Sequence, residues 1–361
     1  MKIMYFMNVD WGWIKQRPHF IAEGLSNSND VLLYYPHTYK KKNGTLCDNS
    51  SERIRPHKYY NLPFRRRSKL IERINSLYLK LLFQVKILAY KPDLIWIAGN
   101  PDAAGFLNKK SIAKSIYDCM DDYYAMSQSV AMLNNEKCIV NNCRHIIVSS
   151  ESLKNVLIKR YSIKENRLTL VRNGYDGNII EDIDVKRNND EYDLAYIGTV
   201  SSWFDFDLIK QMVNTVKGVK IHVVGPIKPE AEDACKSLEN DRVIFYGSKE
   251  HKELYEFAKN MDCLMMPFII NDIILSVDPV KLYEYINFRK NILCVYYPEI
   301  ERFREFVNFY TTRDEAINQL RKLMDNPSIT YSDNERIEFL KENDWENRLK
   351  SINIVLDGSE N

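Results

Sequence analysis

Short apolar runs alternate with stretches of helical periodicity along this 361-residue chain. In the first half the runs fall at residues 3–7, 31–35, 94–98, 115–117 and 145–148. In the second half they fall at 193–197, 220–224, 242–246, 263–266 and 291–296, and four of these stop at Gly198, Gly225, Gly247 and Pro267. This rhythm predicts β-α-β units and parallel sheets, hence an α/β fold. One more strand is expected at 171–176, ending in the Asn173-Gly174 turn. Ligands of open α/β sheets bind beyond the carboxyl ends of the strands, so the residues just past each run are read for chemistry.

Two helical patterns carry more than packing. Residues 65–90 place Leu70, Ile71, Ile74, Leu77, Leu81, Val85 and Leu88 at three- and four-residue spacing, together with Arg65, Arg66, Arg67, Lys69, Arg73, Lys80 and Lys86. Such a helix either lies on an anionic membrane surface or covers a domain with its basic face in water. The second pattern starts at Asp278-Pro279, read as a cap followed by proline at the first helical position. Leu282, Tyr285 and Ile286 supply its apolar face, and Lys281 and Glu284 stand side by side on the first turns.

Length, charge and cysteine content narrow the picture. The chain is long enough for two domains. The polar, aperiodic run 181–191 reads as their linker. The net charge of +2 hides a division. Residues 1–180 hold 28 Lys and Arg against 15 Asp and Glu, whereas the remainder holds 23 against 34. Halves of opposite sign suggest domains with different partners, the basic half suiting an acidic acceptor or an anionic membrane. The triple arginine lacks the interleaved aromatics of a nucleic-acid module, so no nucleic acid is expected. Seven cysteines without a C-x-x-C pair argue against a disulfide framework or a zinc ribbon and suit a reducing cytoplasm. Residues 1–9 read as a first strand rather than a signal sequence, and Lys80 and Lys86 interrupt the most apolar stretch.

Candidate chemistry clusters past the strand ends. A helix N-terminus with Lys281 and Glu284 can hold a nucleoside diphosphate, the cation on phosphate and the carboxylate on ribose hydroxyls. Gly198 and Thr199 permit close backbone approach to phosphates, and the hydroxyls and N–H groups of residues 198–202 could cradle them. The Tyr246-Gly247-Ser248 turn is placed to meet a base edge. In the first half, Trp11, Trp13, Arg17 and His19 follow the first strand, where indole rings can stack on a sugar and cations can meet an anionic acceptor. Asp118, Asp121 and Asp122 follow the fourth run. Asp118 is the first candidate for a general base and Asp122 the second, with helix capping as the competing role for Asp121 and Asp122.

Taken in order, Ile197-Gly198-Thr199, the I-x-V-V-G of 221–225, the R-V-I-F-Y-G of 242–247, the M-D-C-L-M-M-P of 261–267 and the D-P-V-K-L-Y-E-Y of 278–285 resemble the C-terminal domain of GT-B glycosyltransferases, in the group 1, family 4-like set. V-R-N-G-Y-D at 171–176 looks like that set's domain junction. The Trp13-to-His19 segment, the 117–122 segment and Y-I-G-x-x-x-x-W-F-D at 196–205 resemble enzymes of bacterial surface polysaccharide synthesis of the teichuronic-acid type.

The resemblance implies two Rossmann-like domains facing across a cleft: an acceptor domain at 1–176, a linker at 177–191, a donor domain at 192–340, and a last helix at 341–361, around Trp345, returning to the first domain. It implies a hexosyl transfer from a nucleoside-diphosphate sugar, UDP-linked, to a glycan or lipid-linked glycan. Lys281 would hold the diphosphate, Glu284 the ribose, and Asp278 and Pro279 would shape the donor helix. Trp13, Arg17 and His19 would face the acceptor. No metal or other cofactor is expected, and the protein would work in the cytoplasm, peripheral at the inner face of the membrane.

The sequence also departs from the set. Ser276 stands where a second glutamate is common, and Ser201-Ser202-Trp203-Phe204 replaces the usual basic pair after the glycine-ended strand. A nucleotide-sugar epimerase of the same fold and a non-catalytic sugar-binding partner are the alternatives.

Overall fold

A computed structural model describes residues 1–12, 15–37, 53–63, 68–181 and 191–358. The chain divides into two compact units, Met1–Gly174 with Trp345–Asn361, and Tyr175–Asp344.

The first unit is built on seven parallel strands: β1 (Lys2–Met7), β2 (Asp30–Pro36), β3 (Ile54–Tyr59), β4 (Leu94–Ala98), β5 (Ser115–Cys119), β6 (His145–Val148) and β7 (Leu168–Leu170). Their order is β3-β2-β1-β4-β5-β6-β7, so the winding reverses between β1 and β4. Tyr5 pairs with Leu33 on one side and Trp96 on the other. Successive side chains point to opposite faces. Met4, Phe6, Ile95 and Ile97 therefore fill one core, while Ile3, Tyr5, Leu33 and Trp96 fill the other. The final helix, Trp345–Asp357, covers the second core with Trp345, Ile352, Val355 and Leu356. Trp345 stacks on Phe20 at 5.0 Å. A Cβ on Gly24 would lie 2.2 Å from Leu349 Cδ1, so that glycine lets the helix seat. No strand forms at 171–176 as expected: β7 stops at Leu170, and only Tyr175 of that stretch makes an isolated bridge.

The second unit has six parallel strands: β8 (Tyr192–Ile197), β9 (Val219–Val224), β10 (Val243–Gly247), β11 (Cys263–Met266), β12 (Asn291–Val295) and β13 (Asn308–Tyr310), in the order β10-β9-β8-β11-β12-β13. It repeats the winding of the first unit, reversing between β8 and β11. Leu194, Ile221 and Met265 enter one core; Ala195, Val224 and Leu264 enter the other.

The unit boundaries shift the expected domain limits. Tyr175 donates its N–H to Asn343 O (2.8 Å) and bridges to Asp344, which places both segments in the second unit. Ile180 N–H donates to Asn287 Oδ1 (3.0 Å) and Ile180 O accepts from Arg336 (2.6 Å), so residues 177–181 belong to that unit rather than to a free linker. Residues 182–190 of the expected linker lie outside the described residues.

Candidate functional site

In the second unit, the carboxyl ends of β8, β9 and β10 are laced by backbone. Gly198 N–H donates to Val224 O and Gly225 N–H to Gly247 O, each at 2.8 Å. Gly225 has φ +146°, and a Cβ there would sit 1.9 Å from Gly198 O, so only glycine allows this contact. Gly247, at φ +68°, turns the chain out of β10. The loop after Gly198 offers fewer free donors than its sequence suggests. Val200 N–H is used by Pro226 O (3.0 Å), and Ser201 Oγ donates to Glu230 (2.5 Å). Thr199, half-buried, accepts from Tyr196 Oη through its carbonyl (2.8 Å). Tyr246 is exposed and fixed by a chain of side chains: its hydroxyl lies 2.9 Å from His222 Nδ1, and His222 Nε2 lies 2.8 Å from Asp193. Ser248 is exposed beside it.

The Val280–Asn287 helix stands at the same edge of the sheet. Tyr285 ties it to β8, its hydroxyl accepting Ile197 N–H (2.9 Å) immediately before Gly198. Pro279 occupies the cap position rather than the first helical one, and no side chain caps the helix. Asp278 is not that cap. It is buried and ion-paired with Arg302, whose guanidinium lies 4.2 Å from the Phe303 ring centroid. Ser276 is buried too and donates to Asp272 O (3.1 Å). The first turn carries no acidic residue, and Lys281, part-exposed, reaches Glu284 at 3.0 Å. A cation beside the positive end of an uncapped helix makes a site for an anion.

In the first unit several expected site residues are structural. Asp118, on β5, is fully buried and bound by Arg17 through Nε (3.0 Å) and Nη2 (2.8 Å). Arg17 also donates to Val171 O (2.7 Å), so neither group is open to an acceptor. Asp122 caps the Tyr123–Ser127 helix, accepting from Ala125 N–H (3.0 Å), and is held by both arms of Arg160 at 2.8 and 2.6 Å. These bonds hold its carboxyl below the usual range against the opposing effect of burial. His19 is buried against Trp11, and its Nδ1 accepts Gln16 N–H (3.2 Å) to close the N-terminus of the Arg17–Ser26 helix. Burial pushes its pKa down. Trp13 lies outside the described residues.

What the sequence reading ranked lower is Asp121. It follows β5 and is half-buried. Burial pushes its carboxyl up to about 6; the neighbouring Asp118 and Asp122 add to this, and Arg17 opposes it. An acid poised there suits proton transfer near neutral pH. A cavity of about 1080 Å³ opens at the winding reversal of this sheet, lined by Asn8, Asn100 and Asn135, by Tyr59 and Tyr123, and by Arg73; Asp121, two residues before Tyr123, is not itself part of the lining. The Tyr123 hydroxyl, buried and without a hydrogen-bond partner among the described residues, lies where a Cβ on Gly99 would come within 2.1 Å. Amides and aromatic rings in a concave site suit a polar ligand with apolar faces, such as a sugar. Among the described residues no group of His, Cys, Asp or Glu gathers as a metal site, and no helix is long and apolar enough to cross a membrane.

Two doubly wound parallel units, with the last helix packed on the first, define the GT-B architecture of glycosyltransferases. The whole chain is similar in fold to solved structures of that class. The lipopolysaccharide outer core galactosyltransferase WaaB matches at TM-score 0.67 and 13% identity, over 99% of this chain and 100% of that one. Sucrose-phosphate synthase from Thermosynechococcus elongatus matches at TM-score 0.72 and 14% identity, over 99% and 98%. Anabaena HepE in complex with UDP matches at TM-score 0.65 and 13% identity, over 99% and 100%. No protein-family description and no curated protein matches the sequence.

Proposed function

We propose that the protein is a hexosyltransferase that moves a sugar from a UDP-linked donor to a glycan or lipid-linked glycan in bacterial surface polysaccharide synthesis. The observation that carries the reading is the Lys281–Glu284 pair at an uncapped helix N-terminus, anchored through Tyr285 next to Gly198. The diphosphate would draw Lys281 toward it, and the Glu284 carboxylate would accept from the ribose hydroxyls. Gly198 and Thr199 would approach the phosphates, and the Tyr246–Ser248 turn the uracil. Lys281 and the helix dipole would carry the charge of the departing UDP, so the reading calls for no metal ion. The acceptor would lie in the cavity of the first unit. As the bond from sugar to diphosphate breaks and the bond to the acceptor oxygen forms, Asp121 would take the acceptor proton.

The cavity favours this reading over an epimerase, which needs the donor alone. A thermal-shift screen of nucleotides and nucleotide sugars tests it. UDP at a hundred times its Kd should stabilise the fold by about 2.7 kcal/mol. Lys281→Ala should weaken UDP binding by about tenfold or more, the loss of one charge-assisted contact. Equal UDP affinity in wild type and Lys281→Ala would overturn the donor site.

A further inference from the structure

The Lys69–Tyr90 helix buries little of its apolar surface. Asn75, Leu79 and Phe83 are its buried residues. Successive residues turn by about 100°, so the periodic set Leu70, Ile74, Leu77, Leu81, Val85 and Leu88 lies on the opposite side. That set faces outward: Leu77 is 59% exposed, Leu81 58%, Val85 65% and Leu88 73%. An apolar stripe about 30 Å long on a globular surface marks an interaction site rather than core.

Charge says what covers it. Lys69, Arg73 and Lys80 follow one border of the stripe and Lys86 stands on the far side of the helix; none forms an ion pair with a carboxylate among the described residues. The single acid of the helix, Glu72, lines the cavity with Ser76 and Leu79; Lys69 and Arg73 stand between cavity and stripe, and Lys80 borders the stripe alone. An amphipathic helix with an apolar stripe and a basic border fits the surface of a bilayer rich in anionic lipid. A second copy fits less well, because in an antiparallel two-fold pair the Lys69–Arg73–Lys80 border would oppose itself.

We propose that this helix docks the protein on anionic membrane surfaces, its leucines among the acyl chains and its lysines at the headgroups. The docking stands on the helix alone. Combined with the acceptor reading, it has a consequence: one side of the helix would meet the bilayer while the other lines the cavity, so a lipid-linked acceptor would enter from the membrane.

The test is flotation of the full chain with vesicles of phosphatidylcholine containing phosphatidylglycerol, compared with phosphatidylcholine alone. Wild type should float with the anionic vesicles and much less with the neutral ones. Leu77→Glu/Leu81→Glu should lower partitioning at least about tenfold, since both side chains enter the acyl boundary. Lys80→Glu should lower it by about tenfold on anionic vesicles, with weaker salt dependence. Because Leu77, Lys80 and Leu81 are all exposed, melting temperature and UDP-induced stabilisation should stay at wild-type values, which separates failure of docking from failure of the donor site. Equal flotation of wild type and Leu77→Glu/Leu81→Glu would overturn the proposal. So would light scattering that shows a dimer dissolved by those substitutions, with no vesicle binding by the wild type.

Discussion

Replacing Asp118 should cost fold stability before it costs chemistry. The carboxylate is fully buried and accepts three bonds from Arg17, itself only 5% exposed. In Asp118→Ala that guanidinium keeps the Val171 carbonyl and the Asn173 amide but loses its counter-charge. Breaking a buried pair in this way costs about 3–5 kcal/mol. For a unit of this size each kcal/mol is worth about 2–4 °C, so Tm should fall by roughly 6–20 °C. Arg17→Met should behave alike. Arg17→Met/Asp118→Leu should recover much of the loss, because two apolar groups of similar volume leave no charge stranded. Urea melts of wild type, Arg17→Met, Asp118→Leu and the double variant give the coupling directly. If Asp118→Asn melts like wild type and yet has lost turnover, the carboxylate acts in the reaction and the structural reading of the pair is wrong.

Asp121 should behave in the opposite sense. Its raised pKa means that the folded protein holds this proton more tightly than the unfolded chain. The group is therefore least costly at acid pH, and its cost grows as pH rises from the ordinary carboxylate value to about 6. Asp121→Asn should accordingly melt more stably than wild type at pH 7, by up to about 3 kcal/mol. Its turnover should drop about 10²–10⁴-fold, and the rise of rate with pH through about 6 should vanish with it. A variant that keeps that rise would remove Asp121 from the reaction. Gly225→Ala must move the Gly198 carbonyl, 1.9 Å from the new Cβ, and should lose about 2 kcal/mol or more together with UDP-induced stabilisation. A wild-type melt and UDP response would show that the strand-end lacing is soft.

The parallel strands of both sheets are legible in the sequence because buried parallel strands read as apolar runs, whereas their order comes from the structure. The strands that escape are at the edges or very short. β3, Ile-Arg-Pro-His-Lys-Tyr, pairs only with β2 among the described residues, and an edge position tolerates Pro56 and exposes the polar residues that hide its pattern. β7 and β13 have three residues each, too few for a period. The candidate site is harder, for a reason its charged residues make plain. Strand-end reasoning points to a region but not to a partner. Arg17 meets Asp118 across 101 positions, Asp122 meets Arg160 across 38, and Asp278 meets Arg302 across 24. No local spacing announces such pairs, so each residue looks available for chemistry until the fold supplies its counter-ion. Lys281 and Glu284, three apart on one helix, form the expected pair that needs no tertiary information, and it is this pair that the fold leaves partly open at a helix N-terminus. Asp121 is legible only as one of three adjacent carboxylates. What separates it is that Arg17 and Arg160 are already committed to its neighbours, so the acid left without a close guanidinium is the one whose proton is held near neutral pH.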